Sequence, residues 1–268
     1  MKRLTALAKR KVTTTSLHKW NMWLAGLHAI QGVAVLLLST TRLFPVNTSY
    51  LTIDPINTEI TGNAVLATAS RHMFDINLAY LIAAFFFMSA IAHIMLATVY
   101  RKKYEANLDK KINKVRWFEY ALSASTMMVA IAVLSGVTDL STLVMVFVLD
   151  AVMNLSGLAM ETYNQGKAKP NWLVYIIGCI AGIAPWLVFA LYVWGSNVYG
   201  SGNMPTFVYW IYGSMFVLFS SFAINMFLQY KKTGMWKDYL YGERVYMILS
   251  LVAKTVLAWQ VFAGSLRP

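Results

Sequence analysis

Long apolar runs, separated by short polar stretches, dominate the chain. Seven of these runs hold roughly 20 or more mainly apolar residues, enough for a helix to cross about 30 Å of hydrocarbon. They lie at about 20–40, 74–99, 115–136, 140–162, 171–194, 206–230 and 243–264. The pattern predicts an all-α membrane protein, with one seven-helix bundle formed by residues 1–268.

Two of the predicted spans need a separate argument. The third and fourth are separated only by Gly136–Asp139, which favours a tight turn between antiparallel helices. The first follows a basic N-terminus, as the apolar part of a signal peptide would. It is long enough to span, however, and no small-residue cleavage site follows it. We therefore expect it to be retained as the first helix.

The longest connection runs from about Thr41 to Ala69, between the first two spans. β-branched residues alternate in Tyr50–Ile53 and in Thr58–Thr61, and Asp54–Asn57 separates these segments. Alternation around a Pro/Asn turn predicts a short β-hairpin. A connection of this length is usually functional or disordered, and we expect an ordered flap.

Composition supports the membrane prediction, because 58% of the residues are hydrophobic and only 13% are charged. A soluble domain carries about 25% charged residues. The single cysteine, Cys179, excludes a disulfide framework and a cysteine-based metal site. The net charge of +12 is better explained by membrane topology than by binding of nucleic acid.

The basic residues predict the orientation of the bundle. Nineteen of the 23 Lys and Arg residues fall on one predicted face, and only Arg42, Arg71 and Arg267 fall on the other. Basic residues collect on the cytoplasmic side of membrane proteins. We therefore expect a multi-pass protein of the cell membrane, with a cytoplasmic N-terminus and an external C-terminus.

Lys254 is the remaining basic residue, and it lies near the midpoint of the last predicted span. An ionisable group at this depth is costly and suggests a functional site. The alternatives are a structural lysine paired to a carboxylate and one that extends to the interface, although roughly ten residues on either side make the latter difficult. A desolvated amine can condense with an aldehyde to form a Schiff base, which needs a carboxylate nearby when protonated.

Glu119, at the start of the third span, is the leading candidate for that carboxylate. Helical side chains lean toward their own N-terminus, so Lys254 should point toward the level of Glu119. Ser123 and Met127 follow on the same face and could line a pocket. Alternatively, Glu119 pairs with Arg116 at the helix N-terminus.

Other polar and aromatic side chains within the spans are further candidates. His28, Ser89, His93 and Asp150 are polar residues in apolar surroundings, and the histidines could form a hydrated cluster with Glu119. A structural role for each histidine is an equal alternative. Met153 and Gly157 share one helical face, and Trp186, Phe219 and Phe222 are candidate pocket aromatics; for all five, ordinary helix packing is the alternative.

Motifs for other chemistry are missing from the sequence. It contains no phosphate-binding loop, HExxH or CxxC, and no Ser–His–Asp arrangement follows from the spacing. We therefore expect that the protein is not an enzyme.

Four segments carry a resemblance to a known family. They are Ser250–Pro268, Arg116–Ser125, Gly178–Trp186 and Tyr239–Arg244. Seven helices with a lysine in the last one resemble the retinal-binding rhodopsins, whose usual microbial and animal types have an external N-terminus. With its predicted cytoplasmic N-terminus, the chain resembles a heliorhodopsin. The resemblance extends over nearly the whole chain and is most specific in its C-terminal segment.

The resemblance implies the cofactor all-trans retinal and a role for each candidate residue. Lys254 would bind retinal, Glu119 would be the counterion with Ser89 beside it, and His28 and His93 would line a polar cavity. Pocket-lining positions would be Met153, Gly157, Trp186 and Phe222. The family further implies a homodimer, an external flap and a slow light-driven cycle. Asp150 departs from the pattern, since an uncharged polar residue is expected there.

Three functions remain open. A light-sensing photoreceptor that signals to an unknown cytoplasmic or membrane partner is favoured, with membrane lipid and a second copy of the chain as its other contacts. A light-driven ion pump or channel is less favoured, because the external halves of the spans are largely apolar apart from Asp139 and Asp150. A non-photochemical transporter or intramembrane enzyme that uses Lys254 is the third, but neither broken helices nor repeats are apparent.

Overall fold

A computed structural model describes residues 11–202 and 204–268. Its helices and strands are α1 (Thr14–Leu38), β1 (Leu43–Ile53), α2 (Pro55–Thr61), β2 (Leu66–Asn77), α3 (Leu78–Ala97), α4 (Arg101–Asp109), α5 (Lys114–Leu134), α6 (Leu140–Tyr163), α7 (Leu173–Tyr199), α8 (Thr206–Lys231) and α9 (Tyr239–Val261). A 3₁₀ turn (Gly234–Lys237) precedes α9, and a π turn (Phe262–Leu266) extends it. The basic residues before Lys11 lie outside the described part of the chain.

The seven-helix prediction is confirmed, since seven helices are long and apolar enough to cross a membrane. They are α1, α3, α5, α6, α7, α8 and α9. The largest difference is at α1, which begins six residues before the predicted start because Ser16 N donates to the capping Thr13 hydroxyl at 3.1 Å. The predicted second span begins too early, since residues 74–77 belong to β2.

The membrane helices form a bundle with α5 near its centre. Along one side of the bundle α1 packs on α3, α3 on α5, α5 on α6, and α6 on α7. The ring continues with α8 on α9, which returns to α1 and α3. Because α5 also contacts α7 and α8, most of its side chains point into protein rather than lipid.

The predicted hairpin exists, but its position was partly wrong. The strands β1 and β2 pair antiparallel, from Leu43 with Asn77 to Ile53 with Leu66. The predicted turn and second strand instead form the helix α2. Asp54 caps this helix by accepting hydrogen bonds from Ile56 N (3.0 Å) and Asn57 N (3.1 Å), and Pro55 fits its first turn. Local capping therefore outweighs the β-branched alternation.

The hairpin and α2 form a flap that closes one end of the bundle, hereafter the flap end. Asn47 N donates to the Thr138 carbonyl at 2.8 Å, in the predicted tight turn between α5 and α6. Thr40 N donates to the Leu266 carbonyl at 2.7 Å, which joins the flap to the end of α9. The opposite end carries α4 and most of the lysines, and is hereafter the basic end.

The flap half of the bundle is filled by apolar side chains. Phe85 and Phe86 on α3, Ile131 on α5, and Leu257 and Val261 on α9 are fully or almost fully buried there. Since the lipid outside is equally apolar, close packing rather than the hydrophobic effect holds these helices together.

Buried ion pairs hold the basic end together. Arg116, only 4% exposed, donates through Nη2 to Glu161 Oε1 at 2.5 Å and through Nη1 to Glu243 Oε2. These contacts join α5 to α6 and α9. Arg116 is among the basic residues counted on the predicted cytoplasmic face, but it is buried here, and the alternative pairing of Arg116 with Glu119 is wrong.

Neutral donors complete this group. Glu161 Oε2 accepts from Asn113 N (3.0 Å) and Trp117 Nε1 (2.7 Å), and its Oε1 accepts from the Tyr239 hydroxyl (2.9 Å). Asn113 Nδ2 also donates to Glu243 Oε1 at 2.5 Å. Every carboxylate oxygen of Glu161 and Glu243 therefore has a donor, which a buried charge requires.

Arg116→Met should destabilise the protein by about 3–5 kcal/mol, because it leaves two buried carboxylates facing each other without a cation. The measurement is unfolding in detergent micelles, followed by circular dichroism. Arg101→Met is the matched control, since Arg101 pairs only with Glu105 on the exposed face of α4 at 2.9 Å. Equal unfolding midpoints for the two variants would contradict a stabilising role for the buried group.

Candidate functional site

Lys254 and Glu119 form an ion pair within the bundle. Lys254 on α9 is 2% exposed, and its Nζ lies 3.3 Å from Glu119 Oε1 on α5. Nζ also donates to the Ser250 hydroxyl, one turn earlier on α9, at 2.8 Å. The Tyr120 ring lies 5.3 Å from Nζ. The Lys254 side chain thus leans toward the start of its helix, as helical geometry predicts.

Hydroxyl groups surround the Glu119 carboxylate. Ser89 on α3 and Ser123 on α5 each place their Oγ 2.6 Å from Glu119 Oε1, the oxygen that also faces Lys254. Three donors on one buried oxygen favour a charged carboxylate there. Ser89 lies beside Glu119 as the resemblance implies, whereas Ser123, predicted to line a pocket, contacts the carboxylate instead. The functional roles of both stay predictions.

The two predicted histidines lie together on the basic side of this pair. Their rings stack with centroids 5.6 Å apart and planes 7° from parallel. His93 Nδ1 lies 2.7 Å from Asn21 Oδ1 on α1, whereas neither nitrogen of His28 has a hydrogen-bond partner among the described residues. A cavity of about 20 Å³, room for one water molecule, lies between His93, Asn21 and Glu119 and reaches Arg116.

A separate, apolar slot begins at Lys254. A first cavity is lined by Lys254, Tyr120 and Met127, and a second extends to Gly157 and Cys179 between α6 and α7. Both cavities are lined by Met153, Asn154, Phe219 and Phe222. Because the two cavities share these four lining residues, they are adjacent, and together they are hereafter the slot.

Close packing explains a glycine that lines the slot, Gly157, and one behind its Met153 wall, Gly182. A Cβ atom at Gly157 would overlap the Trp117 ring, and one at Gly182 would overlap the Met153 side chain. Trp117 is also held by its hydrogen bond to Glu161. Gly157 therefore sets the position of the ring at the far end of the slot.

The predicted pocket residues lie in the slot with two exceptions, Ser123 and Trp186; Ser123 donates to Glu119 instead. Met127, Met153, Gly157, Phe219 and Phe222 line it. Trp186 does not; its ring packs behind Phe219, with centroids 5.8 Å apart, and contacts Phe189, Tyr212 and Phe216. It can act on the slot only through Phe219.

Asp150 is a second buried carboxylate, and it is separate from the Lys254 pair. Its Oδ2 accepts from Ser125 Oγ and from Asn154 Nδ2, both at 3.0 Å. Because Asn154 lines the slot, Asp150 lies one residue behind the slot wall.

Sequence reasoning missed several polar members of the site. Asn21 lies seven residues before His28, and Ser250 lies four before Lys254, so helical spacing could have identified both. Glu161 and Glu243 look like ordinary charges at the ends of predicted spans. Their shared contact with Arg116 joins distant parts of the chain, and spacing carries no signal for it.

Comparison with known proteins decides the family. The sequence profile described as heliorhodopsin matches residues 17–266. The chain belongs to the heliorhodopsin family. No match to this heliorhodopsin was found among curated protein sequences. Its fold is similar to that of a light-driven proton pump from Leptosphaeria maculans, with a TM-score of 0.62 and 16% identity over 92% of this chain and 94% of that chain.

Membership of a rhodopsin family implies a retinal chromophore, and the residues of this heliorhodopsin fit such a group. Lys254 supplies a buried primary amine, and Glu119 supplies a compensating charge 3.3 Å from it. The slot that leads away from Lys254 has methionine and aromatic walls suited to an apolar polyene. The similarity to the proton pump shows the fold alone, because the sequence identity is low.

Gly157→Ala should lower both stability and the yield of pigment. Within a helix, Gly to Ala is normally stabilising by about 1 kcal/mol. At Gly157 the new Cβ would displace Trp117, whereas at Gly195 on α7 nothing lies within 4 Å of a Cβ. Visible absorbance per mole of protein after addition of retinal, and the unfolding midpoint, should fall for Gly157→Ala and not for Gly195→Ala. Equal absorbance and equal unfolding midpoints in the two variants would mean that the packing of Gly157 against Trp117 does not determine the shape of the slot.

Proposed function

We propose that this heliorhodopsin is a light-sensing photoreceptor that signals or regulates rather than pumps ions. All-trans retinal would be bound covalently at Lys254 as a protonated Schiff base. The observation that carries the proposal is the buried Lys254–Glu119 pair, with Nζ and Oε1 3.3 Å apart, at the head of an apolar slot. A buried lysine is suited to forming such a bond, and its charge needs a carboxylate at this distance.

When bound, the chromophore absorbs visible light and isomerises, which changes the geometry and proton affinity at Nζ. The residues of this chain then determine where charge and protons move. In the resting state Glu119 stabilises the positive charge on Nζ, and its carboxylate is the nearest one to a proton that leaves Nζ. Ser89 and Ser123 orient its carboxylate through their 2.6 Å contacts. Ser250 supports Nζ from the basic side.

Polar groups continue from Glu119 toward the basic end. His93 shares the small cavity with Glu119 and Arg116, and His28 stacks on His93. A proton that leaves Nζ therefore has acceptors on this side. The described residues of the flap half include few proton acceptors. Asp150 already accepts hydrogen bonds from Ser125 and Asn154, and Asp139 caps α6 in the turn. This asymmetry supports a sensor and opposes a complete path for pumping.

The basic end would be cytoplasmic, since nineteen of the 23 Lys and Arg residues fall on that predicted face. The N-terminus would then be cytoplasmic and the C-terminus external, in the cell membrane. Signalling would pass through the loops of the basic end to a cytoplasmic or membrane partner, with the protein present as a homodimer. The remaining alternatives are a light-driven pump or channel and a non-photochemical transporter.

Glu119→Gln should shift the visible band to longer wavelength. In the ground state the positive charge lies near Nζ and is stabilised by the carboxylate; in the excited state the charge moves along the polyene. Removing the carboxylate therefore narrows the energy gap. It should also lower the proton affinity of the Schiff base, so that the visible band is lost at lower pH than in the wild type.

The matched control for that experiment is Asp150→Asn, which removes the other buried carboxylate of the slot region. Its band should shift less, because Asn154 lies between Asp150 and the slot. An unmoved band and unchanged Schiff-base titration in Glu119→Gln would eliminate Glu119 as the counterion.

Light should drive no sustained ion transport. The reason is the apolar packing between Lys254 and the flap end, where Leu257 and Val261 are fully buried. The test is the external pH of illuminated cells that contain the pigment, with and without an uncoupler. A sustained, uncoupler-sensitive pH change would favour the pump and overturn the proposed role.

A further inference from the structure

A pocket of about 340 Å³ opens at the basic end, apart from the Lys254 slot. Three loops form it: the turn between α4 and α5, the loop between α6 and α7, and the connection between α8 and α9. Five exposed lysines line it, namely Lys110, Lys111, Lys167, Lys232 and Lys237. Among the described residues, none of the five forms an ion pair with a carboxylate. Their summed charge makes the pocket attractive to anions.

The inner wall of the pocket does not cancel this charge. Its one carboxylate, Glu161, is engaged by Arg116 and by three neutral hydrogen-bond donors. The remaining inner wall includes Tyr230, Trp236 and Tyr239. All three aromatics are fixed by hydrogen bonds, Tyr230 to the Met160 carbonyl at 2.9 Å, Trp236 to Asn225 at 2.7 Å, and Tyr239 to Glu161 at 2.9 Å. The pocket thus has rigid walls and a positive rim.

The backbone of the rim adopts uncommon conformations. Lys111 (φ 59°) and Lys232 (φ 53°) are the non-glycine residues with positive φ in the described chain, and both line the pocket. Gly166, also on the rim, has φ 69°. Gln165 Nε2 donates to the Lys110 carbonyl at 3.2 Å and joins two of the loops. Lys232 is the C-cap of α8 and Lys111 follows the C-cap of α4, positions where a left-handed residue commonly ends a helix, so these φ values fix where the two loops turn.

We propose that this pocket binds a phosphate-bearing anion. Of the five lysines, Lys167 places its Nζ over the Tyr163 ring, 3.3 Å from the ring centroid. The other four lie on the α4–α5 turn and the α8–α9 connection and suit a compact, multiply charged group, because lysine binds phosphate as a point charge. A soluble phosphate compound and the headgroup of an anionic phospholipid share this chemistry. Binding should weaken as salt rises, because the lysines are exposed.

Glu161 connects the pocket to the interior of the bundle. It lines the pocket and pairs with Arg116, and Arg116 borders the small cavity that Glu119 also borders. One ion pair and one small cavity therefore connect the wall of the pocket to Glu119. Occupancy of the pocket should change the light-driven cycle, and by linkage light should change the affinity for the anion. This coupling rests on the proposed function; anion binding itself does not.

The test of binding is a calorimetric titration of the purified full chain in detergent with inorganic pyrophosphate. The double variant Lys232→Gln/Lys237→Gln should weaken binding at least tenfold. Lys102→Gln/Lys103→Gln is the matched control, because these α4 lysines lie on the same end but outside the pocket, and its affinity should stay within twofold of wild type. Absence of saturable binding, or equal losses in both double variants, would overturn the proposal.

Lipid nanodiscs distinguish the two sources of phosphate. Pyrophosphate binding in phosphatidylcholine discs that disappears in phosphatidylglycerol discs supports the lipid headgroup, because the headgroup then occupies the pocket. Equal pyrophosphate binding in both kinds of disc supports a soluble ligand. In either case the effect must depend on Lys232 and Lys237, and independence from them would overturn the assignment.

The anion-binding proposal and the proposed function can be overturned independently of each other. Pyrophosphate should bind Lys254→Ala as tightly as wild type, since that variant keeps the pocket but lacks the attachment amine. In the pigment, pyrophosphate should change the decay rate of the photocycle, and this change should have the same concentration dependence as the binding measured by calorimetry. Binding without any change in the cycle would overturn the coupling alone, whereas a chain that forms no pigment would overturn the proposed function alone.

Discussion

The structure depends on one buried ion pair, Lys254 with Glu119, whose charged atoms lie 3.3 Å apart. Neither charge is tolerable alone at this depth, because burial removes the water that would stabilise it. Each therefore requires the other; the hydroxyls of Ser89 and Ser123 donate to Glu119 Oε1, and the Ser250 hydroxyl accepts from Lys254 Nζ. The requirement fixes α3, α5 and α9 relative to one another. It also places a reactive amine at the head of the apolar slot.

The polarity around this pair is strongly one-sided. Toward the basic end lie His93, His28 and the group around Arg116, and beyond them the lysine-lined pocket. Toward the flap end the helices pack through phenylalanine and aliphatic side chains. A change in charge at Lys254 therefore acts mainly on the polar groups of the basic end. That asymmetry supports both the proposed signalling role and the proposed regulation by an anion at the basic end.

Much of the fold could be predicted from local properties of the sequence. Apolar runs located seven helices, and the depth of Lys254 together with the lean of helical side chains identified Glu119 as its partner. Local reasoning failed where two local signals competed, as at Asp54–Thr61, where capping by Asp54 produced a helix rather than a strand. It also failed for Arg116, whose partners lie 45 and 127 residues away in sequence, and for Trp186, which only tertiary packing places behind Phe219.

The central claim is that Lys254 carries the chromophore, and its most direct test is chemical. The pigment formed with retinal is reduced with borohydride under illumination, which converts a Schiff base into a stable secondary amine. The protein is then digested and analysed by mass spectrometry. We expect the retinyl group on the peptide that contains Lys254, and on no other lysine. A retinyl group on a different lysine, or a visible pigment that leaves Lys254 unmodified, would contradict the account.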